Sequence, residues 1–243
     1  MMFKGIDTAS HISKTAAEKL KSLGFSFVGR YIVPEEGSTR WKALGFDESR
    51  DILDSGLAIL PIWETTGSRA KGGVSAGAAD GYSAMKRAEE LGIPAGTTIY
   101  FAVDYDAPEK DYAVIEAYLR GAKWNVEQYK IGLYAPSRVL PEMIGVIDHG
   151  WQAYAWAYGF KAETDVYQTA YQDSPASREI QKVTGFAVDL DEAKSLESMW
   201  TAVDPGDEAV QWAKKLGIIT EDTPNMKEIA LMLYRYHKAF AKE

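Results

Sequence analysis

Four short apolar runs in this sequence end in carboxylates. Asp7 closes Gly5-Ile6-Asp7, and Glu64 closes Leu60-Pro61-Ile62-Trp63-Glu64. Asp104 and Asp106 follow Phe101-Ala102-Val103, and Asp189 and Asp191 follow Ala187-Val188. Residues two apart in an extended chain point to the same side. Asp104 and Asp106 are therefore expected to share a face, as are Asp189 and Asp191. Crowded carboxylates cannot all ionise cheaply, so at least one is held protonated. An acid and a base at the same pH are the couple that glycoside hydrolysis needs. One strand-end acid more often caps a helix or pairs with arginine, but four strands ending alike weigh for a site. Arg30, in Gly29-Arg30-Tyr31, is expected near the same face. There it would neutralise Glu64 or hold a substrate carboxylate or acetamido group; the other reading is a buried structural ion pair.

Other chemistries find less support. The chain has no cysteine, which excludes disulfides, thiolate zinc sites and thiol nucleophiles together. His11, His149 and His237 lack the spacing of zinc ligands. No Gly-x-Ser-x-Gly is present, and Gly72-Gly73 and Gly77 lack the lysine and hydroxyl pattern of a phosphate loop. No cofactor and no metal ion are expected, although oxygen ligands would suit calcium or magnesium and a carboxylate-held ion stays open. A net charge of −8, from 35 acids against 27 bases, disfavours a nucleic-acid partner. No run is long enough for membrane insertion. Met1-Met2-Phe3-Lys4-Gly5 does not read as a secretory signal, which fits a cytoplasmic protein. Seven tryptophans and fourteen tyrosines fit a Trp-rich core first and sugar stacking second.

The elements that must position these acids alternate. Strands are predicted at Phe3–Asp7, Phe25–Ile32, Leu57–Glu64, Thr97–Asp104, Lys130–Ala135, Trp151–Trp156, Val166–Gln172 and Phe186–Leu190. Helices are predicted at Ser13–Leu23, Asp47–Ser55, Ala76–Leu91 and Pro108–Gln128, with Gly56 and Gly92 as stops. Strand–helix alternation argues for a parallel sheet with helices outside. Nine residues, Ala157–Asp165, are too few for a crossover helix. The expected fold is an α/β, irregular eight-stranded βα (TIM-type) barrel over 1–202 whose strand ends converge on one face. A linker at Val203–Asp207 and a small C-terminal helical pair, Asp207–Leu216 and Asn225–Ala241, fill 203–243. That pair would cap the barrel; its loose resemblance to the short helical repeats of wall-associated proteins implies contact with the envelope or another partner instead.

In order along the chain, Gly5-Ile6-Asp7, Val28-Gly29-Arg30-Tyr31, Ile59-Leu60-Pro61-Ile62-Trp63-Glu64 and Phe101-Ala102-Val103-Asp104-Tyr105-Asp106 resemble a bacterial glycoside hydrolase-like domain. That domain was first catalogued as one of unknown function. The match continues through Ile131-Gly132-Leu133-Tyr134, Trp156-Ala157, Tyr171-Gln172 and Val188-Asp189-Leu190-Asp191. The domain is similar to the family 25 glycoside hydrolases, lysozyme-like muramidases on an irregular βα barrel. The resemblance implies that Asp7 and Asp189 line the floor of the site and that Asp104 matches the first acid of the muramidases' Asp-x-Glu. Asp106 stands where they have the proton-donor glutamate, one methylene shorter. For localisation the resemblance implies, as the other reading beside a cytoplasmic protein, a lysin-type route to the wall.

The leading reading is a glycoside hydrolase acting on bacterial cell-wall glycan, the expected partner. Asp106 or Glu64 would protonate the leaving oxygen, and Asp104 or Asp7 would stabilise the developing positive charge. Arg30, Asp189, Asp191, Tyr134, Trp156 and Gln172 would bind substrate. The alternatives are a non-catalytic glycan-binding module on the same barrel and a carboxylate–metal hydrolase.

Overall fold

The computed structural model describes residues 2–202, 210, 213–214, 216–220 and 225–240. Eight strands close into a barrel in chain order: β1 (Phe3–Asp7), β2 (Phe27–Tyr31), β3 (Ala58–Trp63), β4 (Thr98–Ala102), β5 (Lys130–Ala135), β6 (His149–Gln152), β7 (Val166–Ala170) and β8 (Asp189–Ala193). Helices α1 (Lys14–Ser22), α2 (Phe46–Asp54), α3 (Gly73–Leu91) and α4 (Tyr112–Lys123) fill the first four connections. Local signals set their ends. The Ser13 hydroxyl accepts from the Ala16 N–H at the start of α1, and Gly92, at φ +74°, ends α3. The second half is poor in helices, as its short spacers predict. Only a 3-10 turn (Leu140–Met143) lies between β5 and β6, and no helix lies between β6 and β7.

Three expectations fail: the eighth strand lies at Asp189–Ala193 and not at Phe186–Leu190, a helix that was not expected precedes it at Pro175–Thr184, and the strands do not all share one direction. The barrel is not parallel throughout: β8 runs antiparallel to both β7 and β1. Between β7 and β8 the chain forms one ten-residue helix, α5 (Pro175–Thr184), about 15 Å long. It never travels to the opposite rim, so β8 starts at the rim where β7 ends. Asp189 opens β8 instead of closing it, and it still reaches the rim that holds the carboxyl ends of the other strands.

Strand alternation divides the core in two. Phe27, Leu60, Ile62, Tyr100, Trp151 and Val166 fill the barrel interior. Ile6, Val28, Ile59, Ile99 and Ile131 pack in the layer between the strands and the helices. Such large interior rings need gaps opposite them. A Cβ on Gly5 would lie 2.2 Å from the Phe27 ring, and one on Gly29 would lie 2.7 Å from Asp7 Cβ.

The chain divides into two compact units, residues 1–201 and 202–243. In the second, α6 (Met226–Phe240) is described, and Val210, Ala213, Ile219 and Ala230 form a buried apolar cluster. The predicted linker and most of the first C-terminal helix lie outside the described residues. Among the described residues no helix is long and apolar enough to cross a membrane.

Candidate active site

The inward parity of the strands carries polar residues to one mouth of the barrel. After the last interior apolar residue of β3 and β4, the next inward positions are Glu64 and Asp104. On β1 and β8 they are Asp7 and Asp189, which face each other across the ladder. These four acids line one cavity of about 200 Å³, together with Tyr31, Tyr134, Trp151, Gln168 and Tyr171.

Gln168 ties the floor together. Its Nε2 donates to Asp7 Oδ2 and Asp189 Oδ2, both at 2.9 Å. Its Oε1 accepts from the Tyr134 hydroxyl at 3.1 Å and from the Tyr154 N–H at 3.0 Å. On the opposite wall Lys42 Nζ pairs with Glu64 Oε2 at 3.0 Å and lies 4.2 Å from the Tyr31 ring centroid. Beneath the floor sits Asp191, 2% exposed. Its Oδ1 accepts from Trp151 Nε1 at 3.0 Å. Its Oδ2 meets no N–H or hydroxyl donor and lies against Asp7.

These surroundings set the protons. Burial, reinforced by the charges of Asp7 and Asp189, pushes the Asp191 carboxyl well above the carboxylate range. Asp191 is therefore the protonated member of its pair and donates to Asp7. Asp7 is pushed up to about 7, by burial first and then by Asp189. Asp189 rises to about 6 through burial, with Asp104 adding to it and the Gln172 backbone N–H opposing. Desolvation also raises Asp104, and Glu64 beside it raises it further. Burial and the Asp7 charge keep Tyr31 and Tyr134 as phenols. Around neutrality one small pocket thus presents protonated and ionised carboxyls side by side, with amide and hydroxyl donors to orient a ligand. Among the described residues no three acidic or histidine side chains converge closely enough to hold a metal ion.

Asp7, Glu64, Asp104, Asp189 and Tyr134 are brought together, with Asp191 directly beneath. Four other sequence-derived candidates stand elsewhere. Arg30 lies at an outward position of β2, fully buried, with its guanidinium bidentate on Glu48 at 2.8 and 3.1 Å. It also donates to the Thr8 and Lys42 carbonyls, so it braces the chain that carries Lys42 and does not reach the pocket. Asp106 does not share a face with Asp104. The chain bends at Tyr105, and Asp106 opens onto a neighbouring cavity, where it accepts from the Tyr158 hydroxyl at 2.7 Å. Trp156 lies past the end of β6 and lines that same neighbouring cavity. Gln172 lies past β7 with its side chain exposed, and it serves Asp189 through its backbone N–H alone. Sequence reasoning missed Gln168, Tyr31 and Lys42. The first two were legible by parity, since Gln168 follows Val166 by two and Tyr31 follows Phe27 and Gly29. Lys42, in a 3-10 turn (Gly37–Lys42), carried no such signal.

The model of the Rv2525c-like, glycoside hydrolase-like domain matches residues 18–193. The FadG protein of Bacillus subtilis (strain 168) is 37% identical over 147 residues, which are 56% of this chain and 25% of FadG. The chain thus spans about a quarter of the length of that relative. Among solved structures, the Tat-secreted protein Rv2525c of Mycobacterium tuberculosis, in complex with HEPES, superposes with a TM-score of 0.67 at 20% identity. That match covers 82% of this chain and 98% of Rv2525c. GHIP, a glycosyl hydrolase 25 of Streptococcus pneumoniae, superposes with a TM-score of 0.51 at 11% identity, over 80% of this chain and 88% of its own. At these identities the structural likeness is one of fold.

Proposed function

The chain belongs to the Rv2525c-like, glycoside hydrolase-like domain family, and from that premise we propose that its pocket hydrolyses a β-1,4 link beside an N-acetylated sugar in bacterial cell-wall glycan. One observation carries the reading: four carboxylates from four strands share a small cavity, where burial and mutual repulsion raise Asp7, Asp104 and Asp189 by different amounts. Asp104, accessible at the rim and raised by desolvation, is the proton donor to the leaving oxygen. Asp189, the more readily ionised of the floor pair, faces the positive charge that develops at the anomeric carbon. Asp7 and the tyrosine hydroxyls orient the acetamido group or ring hydroxyls. Glu64, ion-paired with Lys42, supports the wall opposite. The donor role moves away from Asp106 because that residue points into the adjoining cavity.

A second reading, a glycan-binding module that does not cut, is favoured by a specific observation. Asp106, at the position of the muramidases' donor glutamate, is hydrogen-bonded to Tyr158 outside the pocket. Incubating the protein with purified peptidoglycan and following new reducing ends separates the two. The hydrolase reading expects release by wild type, a loss of about 10²-fold or more in Asp104→Asn, and a much smaller loss in Asp106→Asn. Retention on insoluble glycan without release from several wall types means the binding module.

A further inference from the structure

A second cavity, of about 580 Å³, is lined by Asp106, Tyr112, Arg138, Glu142, Trp156 and Tyr158 among others. Two stretches of chain are shared between it and the carboxylate pocket. Asp104 and Ala155 line the pocket, whereas Asp106 and Trp156 line the second cavity. Two residues of chain span at most about 7 Å, so the cavities adjoin on the scale of one sugar ring. We propose that the second cavity is a saccharide subsite holding the ring next to the one in the pocket, so that the ligand is an oligosaccharide and not a single sugar. The proposal rests on the glycan reading given above.

The backbone of the β6–β7 connection is specialised for this cavity. Trp156 and Tyr158 have φ of +56° and +47°. A side chain in the left-handed region is sterically disfavoured, and two bulky aromatics within three positions concentrate that strain at one place. The conformation brings both residues into the lining of the cavity. Tyr158 is 63% exposed, yet its hydroxyl is held by Asp106 and its ring stands 5.5 Å from the Arg138 guanidinium. An aromatic fixed by polar partners, with Arg138 over one face and most of its surface still exposed, is suited to stacking, because little side-chain freedom remains to be lost on binding. Around it, Asp106, Glu109 and Glu142 supply acceptors and Arg138 supplies donors. That mixture matches a ring bearing hydroxyl and amide groups, and three acids against one arginine disfavour a phosphate ligand.

The test titrates N-acetylglucosamine and its β-1,4-linked trimer into the full chain by calorimetry, with reducing ends read in the same samples. The trimer is expected to bind about tenfold more tightly than the monomer, the scale of one aromatic stacking contact. Tyr158→Ala and Trp156→Ala, each checked for native circular dichroism, should bring the trimer down to monomer affinity. Equal affinities for the two sugars in wild type, or a length advantage that both variants keep, overturn the subsite. Failure of both sugars to bind overturns the glycan reading along with it. Length-dependent binding without hydrolysis supports the subsite and removes only the hydrolase assignment.

Discussion

Asp191 and Asp7 meet beneath the pocket with one proton between them, and this contact has a signature in stability. Their folded-state carboxyls, and that of Asp189, lie above the unfolded value of 3.8. Such groups contribute stability that is complete below that value and is lost as pH rises through about 6 and 7, where the fold must give up protons. Asp191→Asn keeps a donor for Asp7 and an acceptor for Trp151 Nε1 but has no proton to lose. Its Tm is expected to match wild type at pH 4 and exceed it at pH 8. A gap that does not change with pH would overturn the assignment of the proton to Asp191. Asp191→Leu instead leaves the indole N–H unpaired, a cost of about 1–3 kcal/mol by denaturant unfolding. Parity explains which residues of the site could be read in advance. Asp7, Glu64 and Asp104 follow inward positions, and so do the missed Tyr31 and Gln168. Arg30, one residue from Tyr31, faces the opposite way for the same reason.

At the scale of elements, direction and bending decide more than periodicity does. The antiparallel β8 brings Asp189 to the rim from its own first residue, and the bend at Tyr105 sends Asp104 and Asp106 into different cavities. The glycines of α3 find their explanation here too. Gly77, which fits no phosphate loop, lies where α3 crosses α4, and a Cβ there would stand 1.8 Å from the Tyr118 carbonyl oxygen. Gly81 and Gly121 meet the facing helix backbone in the same way. Gly77→Ala must push the helices apart, and a loss of about 2 kcal/mol or more is expected in urea unfolding. The helix pair is further pinned by Asp80, which accepts from Arg69 and from the Tyr118 hydroxyl. A neutral result would show that α3 and α4 slide past one another at little cost.

At the scale of the molecule, the barrel extends to the residues just before the second unit. Ile59 and Trp200 exchange backbone hydrogen bonds at 2.7 and 2.8 Å, and Met199 is buried in the barrel interior. We propose 1–201 as an independently folding domain: a chain ending at Thr201 should keep its cooperative melting transition. One ending at Leu196 should lose several degrees of Tm, having given up the Met199 and Trp200 burial. Equal Tm values for the two would place the boundary earlier. The sequence by itself determined the first five strands and the seventh closely, the sixth and eighth only in part, the helices between the first five, and the concentration of acids near strand ends. These follow from local periodicity and from the chemistry of adjacent residues. Only the tertiary structure decided which acids converge. Asp189 meets Asp7, and Asp106 leaves Asp104, because of the reversal before β8 and the bend after β4. Lys42 reaches Glu64 from a 3-10 turn held in place by the buried Arg30–Glu48 pair. Those contacts join residues far apart in the chain, and their energies enter only once the barrel has closed.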